Sequence, residues 1–291
     1  MQNENLKKML NVGCGNKFHK AWVNIDMVSY HPDVIEYNIL AGLPFPSDTF
    51  DVVYHSQVLE HIPKHQAAGF IAECFRVLKP NGIIRVVLPN LENIVEEYQK
   101  CLQQCLTDNN PLAEANYEWV LLEMYDQTVR NRPGGDMAMY LEKAELLNEA
   151  YVLDRIGYVG RSIRAEVARR GNSRNEQLEA SAWARYAQKI QRNLTYRKIR
   201  QWLLNVLLTP EETLCLQTGR FRRGGEIHYW MYDRFSLSKL LTNTGFSEPL
   251  VKSSLESDIP NWATYELDVK QEHVYDPTSL FMEAKKTAYN T

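Results

Sequence analysis

The residues of this chain that could do chemistry begin with Gly13-Cys14-Gly15 and Asp26. The glycines follow the apolar run Met9-Leu-Asn-Val12, and Asp26 closes the next apolar run, which starts at Trp22. Glycines at the end of a buried strand let the backbone come close to a ligand, and a carboxylate at the tip of the following strand can accept both hydroxyls of a ribose. Two histidines come next. His61 ends Val58-Leu-Glu-His61, and His228 precedes the last long helix. Imidazole is the side chain suited to taking a proton from an acceptor hydroxyl near neutral pH. Each also has a plainer reading: His61 as a helix-start histidine bonded to backbone, His228 as a structural polar residue. Asp233 reads as a helix cap before it reads as a base. Tyr125, Asp126 and Arg130 share a helical face by their near i, i+4 spacing, and either bind an acceptor or pack. The five cysteines are irregularly spaced. Cys101 and Cys105 share a helical face, but with no second cysteine pair and no nearby histidine they predict reduced thiols, and no metal site is expected.

The elements that must position these groups are read from apolar periodicity. Strands are expected from Lys8 to Val12, Trp22 to Asp26, Val34 to Tyr37 (ending at Asn38-Ile39), Phe50 to His55 and Ile83 to Leu88. Prolines and polar residues from Leu43 to Asp51 enforce a loop. Ser56 opens a turn of helix towards His61. A longer helix from Lys64 to Leu78 carries Ile71, Phe75 and Leu78 on one side and stops at Lys79-Pro-Asn-Gly82. The connection from Gly13 to Ala21 is short for a parallel crossover, so any helix there has one or two turns. Strands alternating with helices or loops indicate a parallel sheet. The pattern then changes. Leu91 to Leu106, Pro111 to Arg130, Asp136 to Ile156 and Asn175 to Leu208 all read as helices, with a break at Asn131-Arg-Pro-Gly-Gly135. This block is too long to be a loop and predicts an inserted helical subdomain. The α/β pattern resumes near Gly224-Gly225. A helix capped by Asp233 runs to Thr244 with Gly245 as its stop, and strands are expected from Glu248 to Ser254 and Ser279 to Lys285, with an extra strand or ordered loop between Ala263 and Lys270. The domain boundaries this implies are a core of residues 1–92 and 224–291 around a helical insertion of residues 93–223.

Charge is unevenly spread along the 291 residues. The total is −3, yet Arg155 to Arg223 holds about 15 Lys and Arg against about 5 acids, roughly +10. That asymmetry suits an acidic partner, a charged internal interface or a solvated helical face. Trp183, Tyr186, Trp202 and Trp230 are expected in the core. Nucleic acid is not the expected partner, because no binding motif accompanies the basic stretch and the whole chain is not basic. No run of about 18 apolar residues is present to span a membrane. The first strand starts too early to leave room for a signal peptide, which predicts a cytoplasmic protein.

Leu10-Asn-Val-Gly-Cys-Gly15, Asp26, Leu43-Pro-Phe-Pro-Ser-Asp-Thr-Phe-Asp-Val-Val-Tyr54, Val58-Leu-Glu-His61 and Arg76-Val-Leu-Lys-Pro-Asn-Gly-Ile-Ile-Arg85 together resemble the class I S-adenosylmethionine-dependent methyltransferases. The stretch from His228 to Phe246 is similar to their usual ending. The resemblance covers about residues 7–90 and 224–286. It implies an α/β fold: a seven-stranded, mostly parallel, Rossmann-like methyltransferase sheet with one antiparallel strand and helices on both faces. The helical insertion is an addition to that minimal fold, and is similar to bacterial members found with polysaccharide and natural-product biosynthesis. The implied cofactor is S-adenosyl-L-methionine, lying across the strand ends. Gly13, Cys14 and Gly15 would form the loop under its methionine part, and Asp26, followed by Met27, would hold the ribose. Asn38, where the family more often has Asp, and the Ile39 backbone would meet the adenine, and His55 and Ser56 would line the donor near its sulfur. The short link between Gly15 and Asp26 departs from the family spacing. The expected reaction is methyl transfer to a hydroxyl of a glycan or small-molecule natural product, with His61 or His228 as base and the insertion as lid or dimerisation surface. Amine, carboxylate or carbon acceptors stay open, as does a non-catalytic binding module with the same fold. A nicotinamide oxidoreductase is disfavoured because Phe18 stands where the third glycine of its fingerprint would be.

Overall fold

The computed structural model describes residues 7–29, 31–108, 110–172, 204, 207–270 and 272–287. The apolar runs of the first ninety residues form five parallel strands: β1 (Met9–Val12), β2 (Val23–Asp26), β3 (Val34–Glu36), β4 (Phe50–Ser56) and β5 (Leu78–Pro89). β6 (Phe246–Lys252) and β9 (Ser279–Lys286) complete the sheet, with the two-residue strands β7 (Val269–Lys270) and β8 (His273–Val274) forming a small ribbon between them in sequence. The seven-stranded order is β3-β2-β1-β4-β5-β9-β6, and β9 runs antiparallel to both neighbours. The chain reverses direction across the sheet at β1, and the crevice beside such a switch point is where open α/β sheets bind ligands.

The expected stop at Lys79-Pro-Asn-Gly82 ends the helix and also bulges β5. The ladder jumps from the pair Phe50–Leu78 to Val52–Ile83, and Asn81 takes a positive φ. From Ile83 the strand alternates as a doubly covered strand must. Ile84, Val86 and Leu88 face one core, with Ala67, Phe70, Ile71 and Cys74 of α1 (Lys64–Val77) and Leu237 and Leu241 of a late helix. Ile83 and Val87 face the other, with Trp22, Tyr54, Ile259, Trp262 and Leu267. This second face departs from the expectation of helices on both sides. Among the described residues it is covered by the irregular stretch 253–278. Buried Arg85 pins that stretch: it donates to Asp268, to Glu283 and to the Glu256 and Ser253 carbonyls.

The β1–β2 connection holds no helix. Side-chain amides stand in for one: buried Asn11 donates to the Lys17 carbonyl and to Asn24, and Asn24 donates to the His19 and Trp22 carbonyls.

Between β5 and the late helix the described chain is helical: α2 (Leu91–Thr107), α3 (Pro111–Val129), α4 (Gly135–Leu141), α5 (Glu149–Asn172) and α6 (Pro210–Arg222). Asn90 and Asn110 cap α2 and α3 by accepting from the second backbone N–H, and Pro111 opens α3 where its missing donor is harmless. The single helix expected from Asp136 to Ile156 is two, separated by the turn that carries buried Asn148. These helices have their own apolar contacts, around Trp119, Tyr140 and Val152 and around Ile94, Cys101 and Val120. Buried Arg155 clamps Glu123 between α5 and α3. Most of the helix expected from Asn175 to Leu208, with Trp183, Tyr186 and Trp202, lies outside the described residues. The late helix, α7 (Arg234–Asn243), starts at a capping box of Asp233 and Ser236, and Gly245 follows it at φ +103°. No helix among the described residues is long and apolar enough to cross a membrane.

Candidate active site

The carboxyl ends of β1, β2 and β4 open into a cleft of about 600 Å³. Gly13, Asp26 and Met27 form one wall with Val28, Ile39 and Leu40. Val58, His61 and Ile62 form the other with Arg223–Gly225 and Tyr229.

The glycine loop is built for close approach. Gly13 has φ +65°, and a Cβ on it would sit 2.4 Å from a Val58 methyl. Its N–H and that of Cys14 both donate to the Ile25 carbonyl, which folds the chain sharply back over β2. Gly15 has φ +51° with open space where a Cβ would point, so a ligand can lie against its backbone. Cys14 is buried beneath this turn and outside the cleft lining, and burial pushes its thiol up to about 12. Such a thiol is inert at neutral pH. Asp26 is half-buried, its Oδ2 accepting from Gly15 N–H at 2.8 Å and its Oδ1 from Val28 N–H at 3.1 Å. Each carboxylate oxygen accepts two hydrogen bonds, so each keeps one position for a ligand hydroxyl. Ile39 and Met27 line the cleft. Asn38 does not: it is exposed, and its Oδ1 caps the turn Ile39–Ala41 by accepting from Leu40 N–H.

His55 and Ser56 also depart from expectation. β4 continues its ladder through both, with His55 paired to Val12 and Val86. The strand's alternation sends the His55 ring under α1, against Phe70, where it is wholly buried with neither nitrogen hydrogen-bonded. Burial pushes its pKa down to about 3, so the ring is neutral. Ser56 points to the opposite face, beside Lys17, Asp276 and Ser279. Gln57, next in the chain at φ +56°, lines the cleft, while its side-chain amide donates to Ser279 Oγ on the other face.

The two candidate base histidines come together, but only one reaches the cleft. His61 ends the single turn Leu59–His61. Its Nδ1 lies 3.1 Å from the Ile227 carbonyl. A carbonyl can only accept, so Nδ1 carries the proton and Nε2 holds a free lone pair. Burial lowers the pKa of His61, and the bond to Ile227 partly opposes it. The His228 ring stands edge-on to the His61 ring, 4.7 Å between centroids. It is buried, and desolvation with the neighbouring His61 and Arg130 pushes its pKa down to about 3. Glu60 was missed as a site residue. Its carbonyl accepts from Tyr229 N–H at 2.7 Å, which staples the β4 end to the 227–230 segment and sets His228 beside it. Its carboxyl group is 1% exposed, with Oε1 3.9 Å from His61 Nε2 and no hydrogen bond to either oxygen. Burial raises its pKa to about 8. The sequence signal was a lone carboxylate inside the apolar run Val58–Ile62.

Tyr125, Asp126 and Arg130 do not form a binding face. Tyr125 is exposed, whereas Asp126 is buried and holds Arg130 and the N–H of Asp136. Trp230 is not core either. It is 39% exposed, with Lys64 Nζ 3.7 Å from its ring centre. All five cysteines are free.

Comparison with known proteins agrees with this geometry. Residues 10–86 match a methyltransferase domain family. A protein of Mycolicibacterium smegmatis named "Probable S-adenosylmethionine-dependent methyltransferase" is 46% identical over 56 residues, 19% of this chain and 21% of that protein. An uncharacterized protein of Haemophilus influenzae is 26% identical over 140 residues, covering 46% of this chain and 54% of that one. The chain therefore spans between about a fifth and about a half of the length of these relatives. A solved S-adenosylmethionine-dependent methyltransferase from Archaeoglobus fulgidus aligns over 97% of this chain and 87% of its own at 10% identity, with a TM-score of 0.36. The matched domain covers the strands that carry Gly13, Asp26 and His61, and the sheet has the mostly parallel seven-stranded form with one reversed strand. Residues 10–86 of this chain are thus similar to a methyltransferase domain, and they form the parallel half of a seven-stranded sheet.

Proposed function

We propose that the cleft binds S-adenosyl-L-methionine and that the chain transfers its methyl group to a hydroxyl of a small molecule or glycan. The observation that carries this reading is the meeting in one cleft of a glycine turn, a ribose-competent carboxylate and a histidine with a free lone pair. The residues fit the donor. Gly13 and Gly15 leave backbone open along one wall, and Asp26 has one accepting position per oxygen for the 2′ and 3′ hydroxyls. Ile39 and Leu40 offer an apolar surface for a purine. When bound, the donor supplies a sulfonium-activated methyl carbon whose bond to sulfur breaks as the acceptor oxygen bonds to it, leaving a thioether.

The chain's own work is alignment and proton removal. Holding the two reactants in line supplies several kcal/mol by itself. His61, which lines the cleft with Gly13, takes the acceptor's proton at Nε2, a role typically worth about 10²–10⁴-fold. The Ile227 carbonyl serves it by fixing the tautomer. His228, behind it, orients rather than reacts. The helical insertion of residues 93–223 acts as a lid: its last residue, Arg223, lines the cleft beside Gly224 and Gly225, where the core resumes. Water exclusion there favours a charge-neutralising transfer.

The test incubates the protein with methyl-labelled donor and a panel of glycans and phenols, and follows the label into product. Transfer to oxygen gives a base-stable ether, and His61→Ala lowers turnover at least about 100-fold while leaving donor affinity within threefold. Label appearing in base-labile esters or in N-methyl products contradicts the hydroxyl assignment.

A further inference from the structure

Glu60 presents an unusual physical problem. Its carboxyl group is almost wholly buried with no hydrogen bond to either oxygen, and a buried polar group without a partner calls for one. The positive group nearest by its effect is Lys17, which lies on the far side of β4 and makes no hydrogen bond to it. What the carboxylate does face is two imidazoles. One ligand atom each from Glu60, His61 and His228 lies within 4.8 Å of the other two. The two rings stand edge to face, 4.7 Å between centroids, and imidazole nitrogens are common metal ligands.

We propose that Glu60, His61 and His228 bind one divalent transition-metal cation at the inner wall of the cleft. One carboxylate and two imidazoles are the donor set that suits Zn²⁺, Co²⁺, Fe²⁺ or Mn²⁺, whereas Mg²⁺ and Ca²⁺ prefer all-oxygen cages. The supporting shell is in place. A metal-bound histidine generally donates its other ring N–H to a carbonyl or carboxylate, and His61 Nδ1–H already donates to the Ile227 carbonyl, which leaves Nε2 for the cation. The backbone bond from Tyr229 to Glu60 fixes the two chain segments that supply the ligands. Ligand atoms about 2.1 Å from a common ion lie about 3–3.5 Å apart. The three side chains therefore close by roughly 1 Å on binding, within the reach of small torsional changes in Glu60 and His61.

The site deepens the proposed transfer without depending on it. His61 is part of the cleft wall, so the cation would be reachable from the acceptor side. A hydroxyl bound to a divalent cation loses its proton more readily, and that proton leaves to solvent. In the metal-loaded protein His61 thus acts through the cation, and in the metal-free protein it acts as a free base.

The probe is Co²⁺, titrated into full-length protein freed of metal by chelation and followed by calorimetry and visible absorption. The expected result is one equivalent bound per chain, with d–d bands and no thiolate charge-transfer band. Affinity falls at least about 100-fold in Glu60→Gln and in His228→Ala. Co²⁺ also raises the melting temperature of the native protein and not of the variants. His228→Ala opens a buried site and can fail to fold. Glu60→Gln is isosteric and leaves the core packing unchanged, so it keeps the test decisive. No stoichiometric binding, binding unaffected by Glu60→Gln, or a thiolate band from Cys105 or Cys215 overturns the site. Binding of S-adenosylhomocysteine to the same metal-free protein is measured alongside. Its presence without Co²⁺ binding refutes the metal site alone, and its absence refutes the donor reading alone.

Discussion

Removing the Asp26 carboxylate is the sharpest perturbation of the donor reading. Each of its oxygens already accepts one backbone N–H and has one position left, so a ribose would gain two charge-assisted bonds. A hydrogen bond to a charged group contributes about 1.5–3 kcal/mol net. Two of them at a half-exposed carboxylate, where water partly replaces what is lost, give about 2–4 kcal/mol. Each 1.4 kcal/mol is tenfold, so Asp26→Ala raises the Kd for S-adenosylhomocysteine at least about tenfold, centred near 100-fold. Asp26→Asn keeps one accepting oxygen and loses about tenfold. Calorimetry with the natural ligand and its 2′-deoxy analogue separates direct contact from collapse of the loop. The deoxy analogue binds the native protein more weakly than the full ligand, and that difference disappears in Asp26→Ala. The N–H groups of Gly15 and Val28 are near solvent, so water takes over their bonds and the variant's unfolding free energy stays within about 1 kcal/mol of native. Native affinity in Asp26→Ala, or an undiminished deoxy penalty, refutes the assignment.

Other outcomes follow from the core and the turn. His55 is buried neutral with its pKa held at about 3, below the value near 6.5 that it regains on unfolding. The unfolded chain therefore takes up this proton first, and the stability His55 preserves is complete above about pH 6.5 and lost as pH falls towards 3, at up to about 1.4 kcal/mol per pH unit. His55→Leu removes that share of the slope, and urea unfolding between pH 7 and 5 checks it; an unchanged slope contradicts the burial argument. Gly13→Ala meets a Val58 methyl at 2.4 Å in addition to an unfavourable φ, which together cost about 2–4 kcal/mol. Adding Val58→Ala recovers about 1–2 kcal/mol of that, and additive losses in the double variant would mean the clash is absent. Arg85→Met strands Asp268 and Glu283 in the core and destabilises by about 3–5 kcal/mol. Melting within a degree or two of native would show that pair to be relieved some other way.

Much of the sheet was legible because its signals are local. Apolar runs, glycines after β1, a carboxylate closing β2, and the Asp233 cap with its Gly245 stop each act within a few residues of where they are written. The faces of β4 were harder. Whether His55 or Gln57 reaches the cleft depends on where the ladder with β1 and β5 ends, a register set by distant strands. The second sheet face was missed for a similar reason. Its cover is an irregular stretch tied down by Arg85 through partners about 170 to 200 residues away, and no periodicity marks such contacts. Asp136 to Ile156 read as one helix because its apolar spacing carries across the turn at Asn148. Tyr125 and Asp126 looked like one surface, yet α3 buries one and exposes the other. Glu60 was passed over because its neighbour His61 drew the chemical reading, although a carboxylate among Val58, Leu59 and Ile62 was itself the stronger anomaly.

The central claim is that one cleft, between the Gly13 turn and His61, receives the methyl donor. A crystal structure of the full chain with S-adenosylhomocysteine tests it most directly. The account predicts both ribose hydroxyls on the Asp26 carboxylate, the purine against Ile39 and Leu40, and the thioether sulfur directed across the cleft towards His61. A ligand bound elsewhere, or one whose sulfur faces away from His61 with Asp26 still bonded only to Gly15 and Val28, would contradict it.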